Sequence, residues 1–193
     1  MRPTNTNEYH FTLPKAWKHL KLVFRHRFAV CRYCWQSGLY WQGLVHDLSK
    51  FSPTEFIESV RYYTGNRSPI DTAREVTGYS AAWLHHKGRN RHHYEYWIDG
   101  PDQLGVPVKM PFRYALEMVC DYIAAGKSYG GKSWTRETPL RFWQNKKLTA
   151  RIHADTAAFM DYAFTEIAAH GLSVLPGLKD KKNEYETTGI IRP

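Results

Sequence analysis

The chain has 193 residues, a formal net charge of +9, 42% hydrophobic residues and a 15% aromatic share that includes seven Trp and thirteen Tyr. This length suits one domain whose core needs no disulfide framework, and three cysteines, an odd number, suit a reducing compartment. No apolar run approaches the roughly 18 residues of a membrane span, and the opening Met1-Arg2-Pro3-Thr4-Asn5 lacks the apolar stretch of a signal peptide. The expectation is a cytoplasmic protein with no membrane partner, whose positive charge favours anionic ligands: a phosphorylated small molecule of nucleotide type, or nucleic acid.

Residues 1–12 read as an irregular lead-in. From Pro14 to about Gln36 apolar residues recur at helical spacing, through Trp17, Leu20, Phe24, Phe28, Cys31 and Trp35. Within this helix Cys31 and Cys34 form an isolated C-x-x-C. With no second pair to complete a zinc site, two packed thiols is the simpler reading. Gly38 fits a helix stop, and a short second helix is expected from Tyr40 to Ser49. Ser52-Pro53-Thr54-Glu55 combines an N-cap Ser, a Pro at the first helical position and a Glu three residues after the cap, so a third helix is expected from there to about Thr64.

After the turn Gly65-Asn66-Arg67-Ser68-Pro69 a fourth helix is expected to run to about Lys87, followed by a helical turn from His92 to Trp97. Residues 98–109 read as a loop. Pro111 opens a helix to about Lys127, Thr138-Pro139 starts another, and 153–170 forms the last, closed by Gly171. From Pro176 onward the chain reads as a polar, irregular tail. Period-2 alternation is absent, so the expected fold is all-α: a single helical bundle of six to seven helices with its ordered core over about 14–175.

Ten histidines are a high count, and their order matters more than their number: His26, His46-Asp47, His85-His86, His92-His93, then Asp121. Imidazole and carboxylate are the ligands that borderline divalent metals accept. A His-Asp pair at a helix end can offer both groups to one centre if the helix stops there. Asp121 sits in the apolar run Leu116 to Ala125, where a carboxylate is costly to bury unless paired or metal-bound.

This order resembles the HD superfamily of metal-dependent phosphohydrolases: a first His, a His-Asp pair, further histidines, then a helical Asp. His26-Arg27-Phe28-Ala29-Val30 is similar to that family's opening helix, and Leu44-Val45-His46-Asp47-Leu48-Ser49-Lys50-Phe51-Ser52-Pro53 to its "LHD-x-x-K" segment. More narrowly, Gly38 to Pro53 together with His85-His86-Lys87-Gly88-Arg89-Asn90-Arg91-His92-His93-Tyr94-Glu95-Tyr96-Trp97 resembles an uncharacterised bacterial and phage family, a domain of unknown function, over about 14–170. The step from His86 to His92 is shorter than in the family's cyclic-dinucleotide phosphodiesterases, and their glycine-tyrosine-proline signature is absent. His19 rivals His26 as the first ligand, and His85 rivals His86.

The resemblance implies one or two divalent transition metals (Fe, Mn, Zn, Co or Ni). Asp47 would bridge them, with His26, His46 and Asp121 on one ion and His86, His92 and His93 on the other. A water made acidic by the ions would attack phosphorus. Asp47 and Lys50 are the expected catalytic residues. Lys50, Lys87, Arg89 and Arg91 are candidates to hold phosphate oxygens, Glu95 to orient a ligand histidine, and Tyr94 to Trp97 to stack a base. Two other readings remain open: a di-iron oxygenase of the same superfamily, and a non-catalytic metal-containing module that binds nucleic acid or a protein.

Overall fold

The computed structural model describes residues 9–100, 105–148 and 150–187. The expectations for residues 1–8, 101–104 and 188–193 fall outside it. Among the described residues the fold is all-α, with one two-residue antiparallel pairing. No helix among them is long and apolar enough to cross a membrane.

Helix α1 (Leu13–Gln36) starts where the Thr12 side chain accepts from the Lys15 N–H. Helix α2 (Tyr40–Val45) returns across it so closely that a Cβ on Gly43 would lie 3.0 Å from the Cys34 Cβ and 3.1 Å from the Cys31 carbonyl. A 3₁₀ turn (Leu48–Phe51) leads into α3 (Pro53–Arg61), shorter than its expected run to Thr64. The single helix expected up to Lys87 is two, α4 (Pro69–Thr77) and α5 (Ala81–Lys87). Gly78, at φ 85°, ends the first, and the Ser80 hydroxyl accepts from the Trp83 N–H to cap the second. Glu58 of α3 accepts from the N–H groups of Ala81 and Ala82, so α3 fixes the start of α5 and the position of the histidines at its end.

The expected loop at 98–109 contains strands β1 (Ile98–Asp99) and β2 (Val106–Pro107). Helix α6 (Phe112–Gly130) is the central element. Ten of its residues are buried, among them Ala115, Leu116, Val119 and Ile123, because α1, α7 (Thr138–Lys147) and α8 (Ala154–His170) pack round it. Residues 176–187 are not the irregular tail expected from their polarity. This stretch forms α9 (Leu175–Leu178) and α10 (Lys182–Thr187), and Leu178 and Tyr185 are buried in the core. The Tyr185 hydroxyl donates to the Met110 carbonyl over 2.6 Å, which compensates for burying its one polar atom.

Candidate metal centre

Helix α2 stops at Val45 because His46 turns extended (φ −48°, ψ 127°) and Asp47 enters the left-handed region (φ 54°, ψ 27°). Asp47 is the one non-glycine at positive φ among the described residues. Aspartate is among the few side chains that tolerate this region. Arg27 of α1 pins the turn by donating to the carbonyls of His46 (2.7 Å) and Leu44 (2.9 Å). The result turns both side chains of the pair inward, where they are buried.

The two carboxylate oxygens of Asp47 face different neighbours. Oδ2 lies 3.7 Å from His26 Nε2 and 3.4 Å from His46 Nε2, and both nitrogens approach Asp121 Oδ1, at 3.0 and 3.7 Å. Oδ1 lies 3.3 Å from His86 Nε2 and 3.4 Å from His92 Nε2, and one ring nitrogen of His93 joins this second set. Ligands bonded at about 2.1 Å to one ion stand about 3.0 Å apart at right angles and about 3.4 Å apart at tetrahedral angles. The observed separations are of that size.

Hydrogen bonding gives a second test. Among the described residues, seven buried side-chain atoms lack a partner, and four of them are in this cluster: His46 Nε2, Asp47 Oδ1, His92 Nε2 and His93 Nε2. Buried polar atoms are rarely left unsatisfied, and a cation is one of the few things that satisfies both nitrogen and oxygen lone pairs. These residues can hold a metal ion, and the donor set suits a borderline divalent transition metal.

Two further carboxylates set the rings. Glu117 Oε1 lies 2.9 Å from His46 Nδ1 and 3.1 Å from His92 Nδ1, and Glu55 Oε2 lies 2.7 Å from His86 Nδ1. Each carboxylate accepts from a ring Nδ1–H and thereby directs Nε2 at the centre, where it ligates an ion once it carries no proton. The charges agree with this arrangement. Burial would raise Asp47 and Asp121, but the surrounding histidines, with Lys50 beside Asp47, hold both well below the usual carboxylate range. Burial holds His93 well below the usual imidazole range, reinforced by His92 and His86.

A family model, "Family of unknown function (DUF5662)", matches residues 15–166. The chain belongs to this family. No curated protein and no solved structure matches it.

In this DUF5662 chain the structure brings His26, His46, Asp47, His86, His92, His93 and Asp121 together. Of the two rival pairs, His26 and His86 lie in the cluster and His19 and His85 lie outside it. His85 turns to Glu55 Oε1 at 2.7 Å, and His19 packs between Phe56 and Tyr63 at ring-centroid distances of 5.6 and 5.9 Å. Lys50 Nζ is 3.3 Å from Asp47 Oδ2, and although burial would lower its pKa, Asp47 and Asp121 raise it overall. Neither Cys31 nor Cys34 joins a ligand group. Cys34 is buried, and the Cys120 thiol, together with burial, pushes its own thiol up.

Other expected contacts are not made. Glu95 orients no histidine; its carboxylate faces Lys146 at 3.9 Å. Arg91 reaches the Tyr114 hydroxyl (3.4 Å) and lies over Tyr96, and neither it nor Lys87 and Arg89 lines the cavity that opens on the centre. That cavity, about 590 Å³, touches His93 and Asp121 and is walled by Trp83, Tyr94, Met118, Tyr122 and Phe142, with Arg67 and Lys146 as its cations. Of the expected stacking segment Tyr94 to Trp97, Tyr94 alone supplies an aromatic ring to this wall. Glu55 and Glu117 were not foreseen as ring partners. Glu55 sits at a position that also reads as half of a capping box, and here only the Ser52 half forms, its hydroxyl accepting from the Glu55 N–H at 3.4 Å.

Proposed function

We propose that this protein is a metal-dependent phosphohydrolase of the HD type that cleaves a phosphate ester whose organic part enters the cavity at His93 and Asp121. The observation that carries the reading is the division of the Asp47 carboxylate between two sets: His26 and His46 face Oδ2, with Asp121 Oδ1 closing on both their Nε2 atoms, and His86 and His92 face Oδ1, with His93 in the same group. Such a division suits a pair of divalent cations sharing one carboxylate. Bound there, the ions supply an acidified water and polarise a phosphoryl oxygen.

The chain's own groups do the rest. Glu55 and Glu117 hold the ring tautomers. Lys50 does not line the cavity at His93 and Asp121 but opens with His26 on a smaller one. Kept charged beside Asp47, its ammonium offsets negative charge that grows during transfer. The aromatic wall of Trp83, Tyr94, Tyr122 and Phe142 excludes water and takes up the flat base of a nucleoside, whose hydroxyl oxygen is the leaving group.

A second reading is favoured by one feature: five imidazoles against two carboxylates is a nitrogen-rich set that also suits iron and oxygen chemistry. The test is phosphate release from nucleoside monophosphates and hydrolysis of bis(p-nitrophenyl) phosphate with Mn, Fe, Co, Ni or Zn, using Asp47→Asn as control. Turnover of either ester that disappears in the variant supports the proposal. Metal-loaded protein inert on both, but consuming oxygen with iron, moves the assignment to the oxygenase.

A further inference from the structure

Helix α1 has two apolar faces where a helix on the rim of a monomer needs one. Val23, Val30, Tyr33 and Cys34 are buried, and His26 reaches the metal centre from the inner side. On the outer side Trp17, Phe24, Phe28 and Trp35 are 59, 54, 75 and 50% exposed. At about 3.6 residues per turn these four fall within about 40° of one another, a continuous outward stripe. Arg27 ties α2 to one flank of it, and the exposed Tyr40, Trp41, Leu44 and Leu48 widen the patch. Ring contacts of Phe24 with Phe51 (5.3 Å) and Trp35 with Tyr40 (5.5 Å) join the parts. With about 200 Å² per aromatic side chain, the exposed portions of the six aromatics come to about 700 Å², and Leu44 and Leu48 bring the patch to about 900 Å². A typical monomer leaves its largest apolar patch at about 300–600 Å², and each partner of a standard interface contributes about 800 Å².

We infer that this face is the interface of a symmetric antiparallel dimer, the occupant being a second copy of the same chain. The stripe is self-complementary. Trp17, Phe24, Phe28 and Trp35 are separated by seven, four and seven residues, a spacing that reads the same in both directions. A twofold axis beside residue 26 sets Trp17 opposite Trp35 of the second copy and Phe24 opposite Phe28, the mutual pairing an isologous contact requires. The aromatic centre and cationic rim also follow the usual anatomy of protein interfaces.

The rim separates this occupant from two others. Lys18, Lys21, Arg25 and Arg32 form a stripe beside the apolar one, and α1 contains no acidic residue. In the antiparallel arrangement the cationic rims of both copies lie on the same side of the interface and repel, so added salt, which screens them, strengthens the dimer. An anionic lipid surface or a nucleic-acid strand would be attracted by the same cations and released by salt.

The experiment is the mass in solution by light scattering or sedimentation, at micromolar concentration in low and high salt, for the wild type and Phe28→Glu. Phe28 is 75% exposed on the face of α1 opposite His26. The expected result is a wild type at twice the 22.6 kDa chain mass, more completely so in high salt, and a variant at the chain mass with unchanged helical signal and metal content. If Phe28→Glu loses its helical signal, Trp17→Glu replaces it. A monomeric wild type, or a dimer that both variants leave intact, overturns the inference. So does a monomer that binds phosphatidylserine vesicles or a single-stranded oligonucleotide through Phe28.

Discussion

Glu117 offers the sharpest test of how the metal centre is built, because one oxygen serves two rings. Its Oε1 accepts from His46 Nδ1 at 2.9 Å and from His92 Nδ1 at 3.1 Å, and the side chain is almost wholly buried on the central helix. Replacing it with Leu keeps apolar volume but leaves two buried Nδ1–H groups without an acceptor. Both rings then lose the restraint that points Nε2 at Asp47. Removing one outer carboxylate of this kind typically costs 10- to 100-fold in metal affinity, about 1.4 to 2.7 kcal/mol. With two rings released at once the expected loss for Glu117→Leu is about 100-fold. Glu117→Gln keeps a neutral acceptor at the same place, so its loss should be nearer 10-fold. The assay is competition for the metal against a chelator of known affinity, with circular dichroism as a check on folding. Affinities within twofold of wild type in both variants, with the fold intact, would refute the idea that Glu117 positions these ligands.

Three further predictions follow from the same geometry. Asp47→Ala and Asp47→Gly should both lose metal while keeping their helical content, but the Gly variant should be about 1 kcal/mol more stable, since only Ala opposes the left-handed backbone at φ 54°; equal melting temperatures would show that the turn carries no such strain. Burial lowers His19 to about 4, with Lys50 adding to the effect. A depressed histidine stabilises the fold above the unfolded value near 6.5, and that stability is lost as pH falls toward 4. About 2 to 3 kcal/mol should therefore disappear between pH 7 and 4.5, and His19→Phe should flatten the change in urea midpoints over that range. Burial would lower His46, but Asp47, Asp121 and Glu117 together raise it to about 10. Metal binding at pH 8 should consequently release about one proton from His46, measurable by calorimetry in buffers of different ionisation heat; no proton release would show that His46 is already neutral.

Much of the candidate site was legible in the chain because its residue types are costly or rare in their settings. A His-Asp pair at a helix stop and an Asp inside an apolar helix each need a partner, and the structure supplies one for each. The same reasoning extends to Glu117, four residues before Asp121 and so on the same face of α6. Glu55 was harder to see, since a carboxylate three residues after an N-cap already has a local explanation. Lys87, Arg89 and Arg91 mark the opposite failure: a basic cluster near the candidate histidines says nothing about which way the loop turns, and this one turns Arg91 toward Tyr114.

The fold divides in the same way. Gly78 and Ser80 mark the break between α4 and α5 in local terms, whereas the burial of Tyr185 depends on a hydrogen bond to Met110, 75 positions away. Helix α1 shows the limit of periodicity. Trp17, Phe24, Phe28 and Trp35 announce an apolar face, but the spacing cannot say that the core lies on the other side of the helix.

The proposed pair of divalent ions on the two sides of Asp47 is open to a direct count. The direct measurement is elemental analysis of protein purified without added metal and again after reconstitution, in parallel with His46→Ala and His92→Ala. Reconstituted wild type should carry about two equivalents of a transition metal and each variant less, with the folded state retained. Wild-type protein that takes up no metal under either condition, or variants that keep the full complement, would contradict the proposed pair.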